Sequence, residues 1–414
     1  DGTHEHPTQA LLDAFTIRRR LHGSAARGSG AADRRTPPAR RGSGGGGIHE
    51  GRSLATAPTG NAPRIPPVLP GVTHLERVPL NVLDLAPRPF GGTNADAVAG
   101  SIRLAQAAEA AGYSRFWVAE HHGMPGIASS APAVLLAGIA ARTSTIRVGS
   151  GGVMLPNHTP LVVAEQFGTL RALYGDRIDL GIGRAPGTDG ATAMALRRSE
   201  AGLGVDDFPQ QLVDLVGFFT GGMADDNPLR GITAVPGLGD VPQMWLLGSS
   251  GYSAQVAAAL GIRFAFAHHF AGDRTEQALA LYRERFQSSD DLAAPHSAIA
   301  VSVIADEDPD VVEREARAGR ITWLRMRMGG KPQPVDPAEA AAYAFSDLER
   351  EIIGARDRRQ AIGSPDAVRI GLERLLTSTG ADELIVAPSS TTLDHRVQTL
   401  RTVRDLAIGE VRAA

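Results

Sequence analysis

The sequence predicts an α/β fold, a (β/α)8 barrel of the TIM type with an insertion between strands seven and eight, and three observations predict it. From Pro79 onward, short apolar or β-branched runs alternate with longer stretches of helical period. Eight such runs are present, each followed by a helical segment, and eight βα units close most naturally into a ring. Polar residues and glycines that packing does not require collect at the C-terminal ends of the runs, where barrel enzymes build their sites. An open doubly wound sheet is the other arrangement such alternation allows.

The expected strands are Asn81–Leu85, Arg115–Ala119, Thr145–Gly151, Arg177–Gly183, Gln243–Ser249, Arg263–His268, Ala298–Asp306 and Glu383–Pro388. Helical period is expected near 95–111, 130–142, 159–174, 206–220, 250–260, 273–288, 364–379 and 393–408. Thr159–Pro160 and Ser364–Pro365–Asp366 read as an N-cap followed by a first-turn proline. About 75 residues separate strands seven and eight, against roughly 30 for one βαβ unit. The excess predicts an insertion with a helix near 308–328, a break at Gly329–Pro337 and a second helical stretch over 338–353. It is either a lid on the catalytic rim or surface decoration. Residues 1–76 are rich in Gly, Pro, Ser and Arg and lack apolar periodicity, so they read as a disordered extension before a barrel domain over 77–414.

Composition narrows the function. At 414 residues the chain exceeds the roughly 250 of a bare barrel. With 43% hydrophobic residues and a net charge of -3, it carries no overall bias toward nucleic acid or an anionic membrane. There is no cysteine, which excludes disulfides, thiolate metal sites and thiol nucleophiles together. Apolar runs stay near about ten residues, short of the roughly 20 that span a bilayer. A cytoplasmic enzyme acting on small molecules is expected.

Strand one ends in Asp84, strand two in Glu120–His121–His122, strand three in Gly149–Ser150–Gly151–Gly152 and strand four in Gly181–Ile182–Gly183–Arg184. Strand five runs into Gly248–Ser249–Ser250–Gly251–Tyr252, strand six ends in His268–His269 and strand eight in Ser389–Ser390. The paired histidines, together with His158, invite a metal site. Neighbours on an extended strand point to opposite faces, however, so His121 and His122 are poorly placed to chelate one ion, and no metal is expected. Ser249, Ser250, Gly251 and Tyr252 lead into a helix whose free N–H groups and dipole suit a phosphate. Arg184, on the neighbouring strand, adds a guanidinium to the same place. Glycines in strands three and four leave room for a flat ligand to approach the backbone, although loose packing or a bulge explains them equally.

Phe116–Trp117–Val118–Ala119–Glu120–His121–His122, Ile146–Arg147–Val148–Gly149 through Leu155–Pro156, and Arg177–Ile178–Asp179–Leu180–Gly181–Ile182–Gly183–Arg184 resemble the bacterial luciferase-like flavin-dependent monooxygenases in order and spacing. The likeness covers about residues 78–410 and is nearest to members associated with secondary metabolism. It implies reduced FMN (FMNH2) as cofactor, with O2 adding at flavin C4a to give a hydroperoxide that oxygenates a small organic substrate. It also implies a separate flavin reductase and a homodimer. His121 matches the family's catalytic histidine. Arg184, Ser249, Gly251 and Tyr252 match its phosphate-binding positions, and the Gly151–Gly152 bond matches a site where the family uses a non-proline cis peptide. Gly183 replaces the reactive cysteine of the light-emitting enzymes, which removes the expectation of light but not of flavin chemistry. An imidazole titrating near neutrality suits His121 for proton control. Glu120, His122 and Asp84 read as supporting groups, and His268 and His269 as substrate-side candidates. An F420-dependent oxidoreductase and a flavin-binding protein without turnover are the alternative readings on the same fold.

Overall fold

The computed structural model describes residues 73–185, 187–197 and 207–409, so nearly all of the extension read over 1–76 lies outside the described residues. Nine strands form one parallel sheet: β1 (Leu80–Asp84), β2 (Arg115–Val118), β3 (Arg147–Met154), β4 (Ile178–Gly183), β5 (Gln243–Gly248), β6 (Arg263–Phe266), β7 (Ser297–Ala305), β8 (Ala361–Gly363) and β9 (Glu383–Pro388). Strands β1 to β7 pair in sequence, β7 pairs with β9 and β9 with β1, which closes an eight-stranded barrel. The short β8 stands outside this ring, paired with Val303–Ala305 at the C-terminal end of β7. Three residues are too few to carry a period, and sequence reading passed over them.

Barrel strands are covered on both faces, by helices outside and by side chains inside, and they are accordingly buried along their whole length in β1, β2, β4, β7 and β9. Trp117 and Trp245 fill the interior, packed edge to face with ring centroids 5.3 Å apart. Around them lie Leu83, Ile385 and the small Ala265, Ala298 and Ala300, whose size leaves room for the indoles. The glycines of β3 and β4 answer to this packing. A Cβ on Gly151 would lie 2.7 Å from Leu83 Cδ1, and one on Gly181 would lie 2.1 Å from the Ser150 carbonyl oxygen. Protein neighbours therefore account for them.

At the N-terminal end, the strands' first residues form a charged floor. Arg115 donates to Asp179 at 2.8 Å and to Glu383 at 2.9 Å, Arg147 reaches Asp179 at 2.6 Å, and His296 Nε2 lies 2.8 Å from Glu383. Burial opposes ionisation of Glu383, yet hydrogen bonds from His296 and Arg115 outweigh it and hold the carboxyl at about 2. Burial likewise opposes the Arg115 charge, and Asp179 and Glu383 more than offset it.

The helices follow each strand as the periodicity requires. Ser364 caps the helix Pro365–Thr379 by accepting from Ala367 N, whereas Thr159 occupies the N-cap position of Pro160–Tyr174 without a side-chain bond. The insertion contains helices Pro309–Arg327, Pro337–Ala342 and Asp347–Asp357 around a small core of its own that includes Ile321, Leu324 and Phe345. Pro332 accepts from Gly126 N at 3.0 Å and Lys331 pairs with Asp189 at 3.1 Å, which ties the insertion to the loops after β2 and β4.

Candidate active site

A cavity of about 450 Å³ opens at the C-terminal end of the barrel. Each strand end contributes by position: His121 after β2, Gly151, Gly152 and Met154 from β3, Gly183 and Arg184 at β4, Ser249 and Ser250 after β5. The Gly151–Gly152 peptide bond is cis.

His121 and His122 lie past the end of β2 and diverge. His121 lines the cavity, and its Nδ1 is buried without a hydrogen-bond partner. Burial is the main influence on its ring and lowers its pKa, which favours the neutral imidazole. His122 turns instead to Glu120, with Nε2 2.9 Å from Oε1. The same carboxylate lies 2.9 Å from His158 Nε2 and accepts from Asn157 at 3.2 Å and from Met154 N at 3.0 Å. Burial raises the Glu120 pKa, but these bonds, His122 first, bring it down to about 2. Glu120 thereby ties the end of β2 to the end of β3 and fixes the backbone that carries His121. Glu120, His122 and His158 also offer three ligand atoms within 4.8 Å of one another. Sequence reading set His158 beside the two histidine pairs as a metal candidate, and the structure brings it to Glu120 and His122, a grouping with a carboxylate that was not anticipated. The carboxylate is already engaged by four protein donors.

Arg184 lines the cavity with its guanidinium 4.1 Å from the centroid of the Tyr252 ring. A cation–π contact of this kind holds the side chain at the rim. Ser250 is the N-cap of the helix Gly251–Leu260, yet its hydroxyl makes no capping bond, whereas Thr93, Ser346 and Thr392 each cap their helices. The dipole end of this helix, Ser249, Ser250 and Arg184 therefore converge on one side of the mouth. Gly251 and Tyr252 stand behind that surface and do not line it.

The remaining expected residues divide. Asp84, fully buried, accepts from Ser101 at 2.5 Å and pairs with Arg396, so it supports the site from behind. His269 lines the cavity and donates from Nδ1 to the Ala300 carbonyl at 2.9 Å. His268 does not end a strand. β6 stops at Phe266, His268 opens the short helix His268–Ala271, and its Nδ1 bonds Thr275 at 2.8 Å away from the cavity. The substrate-side expectation for His268 is thereby corrected. The wall made by Ser302, Ser389, Ser390 and Arg396 was found only in part. Ser389–Ser390 was visible as a polar strand end. Arg396 belongs to the helix Leu393–Ala407, and no local pattern marks it as buried.

A family model described as luciferase-like monooxygenase matches residues 82–383. A protein of Escherichia coli strain K12 called luciferase-like monooxygenase is 44% identical over 321 residues, which cover 78% of this chain and 94% of that protein. The solved structure of apo-MsnO8 is 36% identical, with a TM-score of 0.72 over 81% of this chain and 100% of that one. The fold is also shared, at 15% identity and TM-score 0.59, with the oxygenating constituent of 3,6-diketocamphane monooxygenase from Pseudomonas putida in complex with FMN, which covers 81% of this chain and 99% of its own. An F420-dependent secondary alcohol dehydrogenase shares it at 14% identity and TM-score 0.56, covering 80% of this chain and 99% of its own. Separately, 30 residues, 7% of the chain and 9% of the relative, are 97% identical to the aspartate carbamoyltransferase catalytic subunit of Clavibacter sepedonicus, too short a stretch to bear on activity.

Proposed function

The chain belongs to the luciferase-like monooxygenase family and is an oxidoreductase, and from that premise we propose that it is an FMN-dependent monooxygenase that inserts one atom of O2 into a small organic substrate. One observation carries the proposal: a buried imidazole with an unpartnered Nδ1 faces a cavity whose other side is an uncapped helix N-terminus joined by an arginine. A phosphate-bearing planar cofactor suits that pairing of an anion cradle with a largely apolar interior. Reduced FMN would supply the electrons that activate O2.

The chain's own residues divide the remaining work. Arg184, Ser249 and Ser250 hold the phosphate, with Tyr252 bracing Arg184. His121 holds or delivers a proton at the face of the ring, and Glu120 keeps its backbone in place. Trp117, Leu83 and Leu85 line the interior and exclude water. A separate reductase would deliver FMNH2, and the family resemblance implies a homodimer.

Titration of the purified chain with FMN, riboflavin and F420, followed by single turnover with chemically reduced cofactor, tests the reading. FMN is expected to bind tightest and to consume O2 once reduced. Preference for F420 would assign the site to deazaflavin chemistry instead.

A further inference from the structure

We propose that Ser390 accepts the flavin N3–H, held as an acceptor by His395 and Asp306, and so sets which edge of the isoalloxazine faces β9. The inference rests on the flavin reading. Ser390 follows β9, is 4% exposed and lines the cavity. Its Oγ is 2.7 Å from His395 Nδ1, and His395 Nε2 is 3.0 Å from Asp306 Oδ2. With Asp306 ionised and the His395 ring carrying a single proton, that proton sits on Nε2 toward the carboxylate and Nδ1 is a lone pair. Ser390 must then spend its hydroxyl proton on His395. Only its acceptor lone pairs remain for the cavity.

The neighbours on this wall can donate. Arg396 uses Nε on the Pro388 carbonyl at 3.2 Å and one Nη on Asp84, which leaves its other Nη for the cavity it lines. Ser389 Oγ is buried and has no partner. Beside the Ser390 acceptor the wall thus has an arginine N–H donor and a hydroxyl that can donate. The pyrimidine edge of a flavin, with O2, N3–H and O4, presents the complement.

Position agrees with polarity. In the closed ring β9 stands four strands from β4, directly across the mouth from the Arg184 cradle. A ligand anchored by its phosphate at β4 and β5 crosses the mouth toward β9.

The test compares the affinity of the full chain for FMN and for 3-methyl-FMN, which lacks the N3 donor, by flavin fluorescence titration. The parent should prefer FMN by roughly 5- to 100-fold, the range for leaving a buried acceptor unmet. Ser390→Ala should bring the two ligands within about 3-fold. Asp306→Asn is the sharper variant, because it keeps shape while its amide can donate to Nε2, moves the imidazole proton to Nδ1 and releases the Ser390 hydroxyl to donate. It too should abolish the preference, although the room available to the methyl group is unchanged. Equal binding of the two ligands by the parent, or a preference that survives in both folded variants, would overturn the inference while leaving FMN binding intact. A parent that binds no FMN would remove the flavin reading itself, and this inference with it.

Discussion

The two ends of the barrel carry similar residue types in opposite states. At the floor, Arg115, Arg147, His296, Asp179 and Glu383 are buried or half-buried, and each is paired with an opposite charge or a potential one. At the mouth, His121 Nδ1 and Ser389 Oγ are buried without partners, and Arg184 has an aromatic ring against it in place of a carboxylate. Polarity inside a barrel therefore does not by itself mark a site. Unpartnered atoms occur toward the floor as well, at Asn81 Oδ1 and Trp245 Nε1, and what distinguishes the mouth is that its unpartnered His121 Nδ1 and Ser389 Oγ belong to residues lining the cavity.

The comparison breaks most visibly at Arg115. Arg115→Met takes away the partner that Asp179 and Glu383 share, leaving them Arg147 and His296, and should cost about 3 kcal/mol in urea unfolding, the low end for a buried charge that loses a partner. A cost under about 1 kcal/mol would mean that the floor charges are solvated and that the contrast between the ends is false.

Acid should strain both ends. Glu120 and Glu383 each titrate at about 2, against an ordinary 4.5. A depressed carboxylate contributes stability that is complete above the unfolded value and is lost as pH falls toward the folded one. Each contribution is of the order of 3 kcal/mol. The urea midpoint should thus drop steeply between pH 4.5 and 2, and Glu383→Gln and Glu120→Gln should each flatten that slope. A midpoint flat across the window would contradict both assignments.

Arg184→Ala addresses the mouth alone. It should weaken FMN by about 10- to 150-fold, the value of a charged hydrogen bond, while riboflavin binding changes little. Equal weakening of both would make Arg184 a structural residue. Smallest is His122→Ala, expected to lower turnover by less than about tenfold, because the ring serves Glu120 and not the cavity.

Much of this contrast was legible in the chain. Continuous apolar runs reveal strands buried on both faces, and chain order then places His121, Arg184, Ser249 and Ser250 at one end. The closure through β9 follows from the same periodicity, whereas His121 and His122 lie past the end of β2 and their split does not. Long-range pairing was not legible. Arg115, Asp179 and Glu383 lie at the starts of three strands far apart in sequence, and only closure brings them together. His395 and Arg396 sit on a helix whose arginines would ordinarily face water, yet they are 9% and 4% exposed because they fold back over β9. His268 misled because the apolar run Phe264–Phe266 continues smoothly into Ala267, although the chain turns into a helix there.

The central claim is that the mouth's unused polar capacity serves oxygen chemistry, and His121 tests it most directly. FMN affinity and single-turnover oxygenation should be measured together for His121→Ala, with chemically reduced FMN and product and released peroxide quantified after rapid mixing with O2. The account predicts FMN affinity within a few-fold of the parent and oxygenation lower by about 10²–10⁴, with peroxide released in place of product. Oxygenation at the parent rate would contradict it.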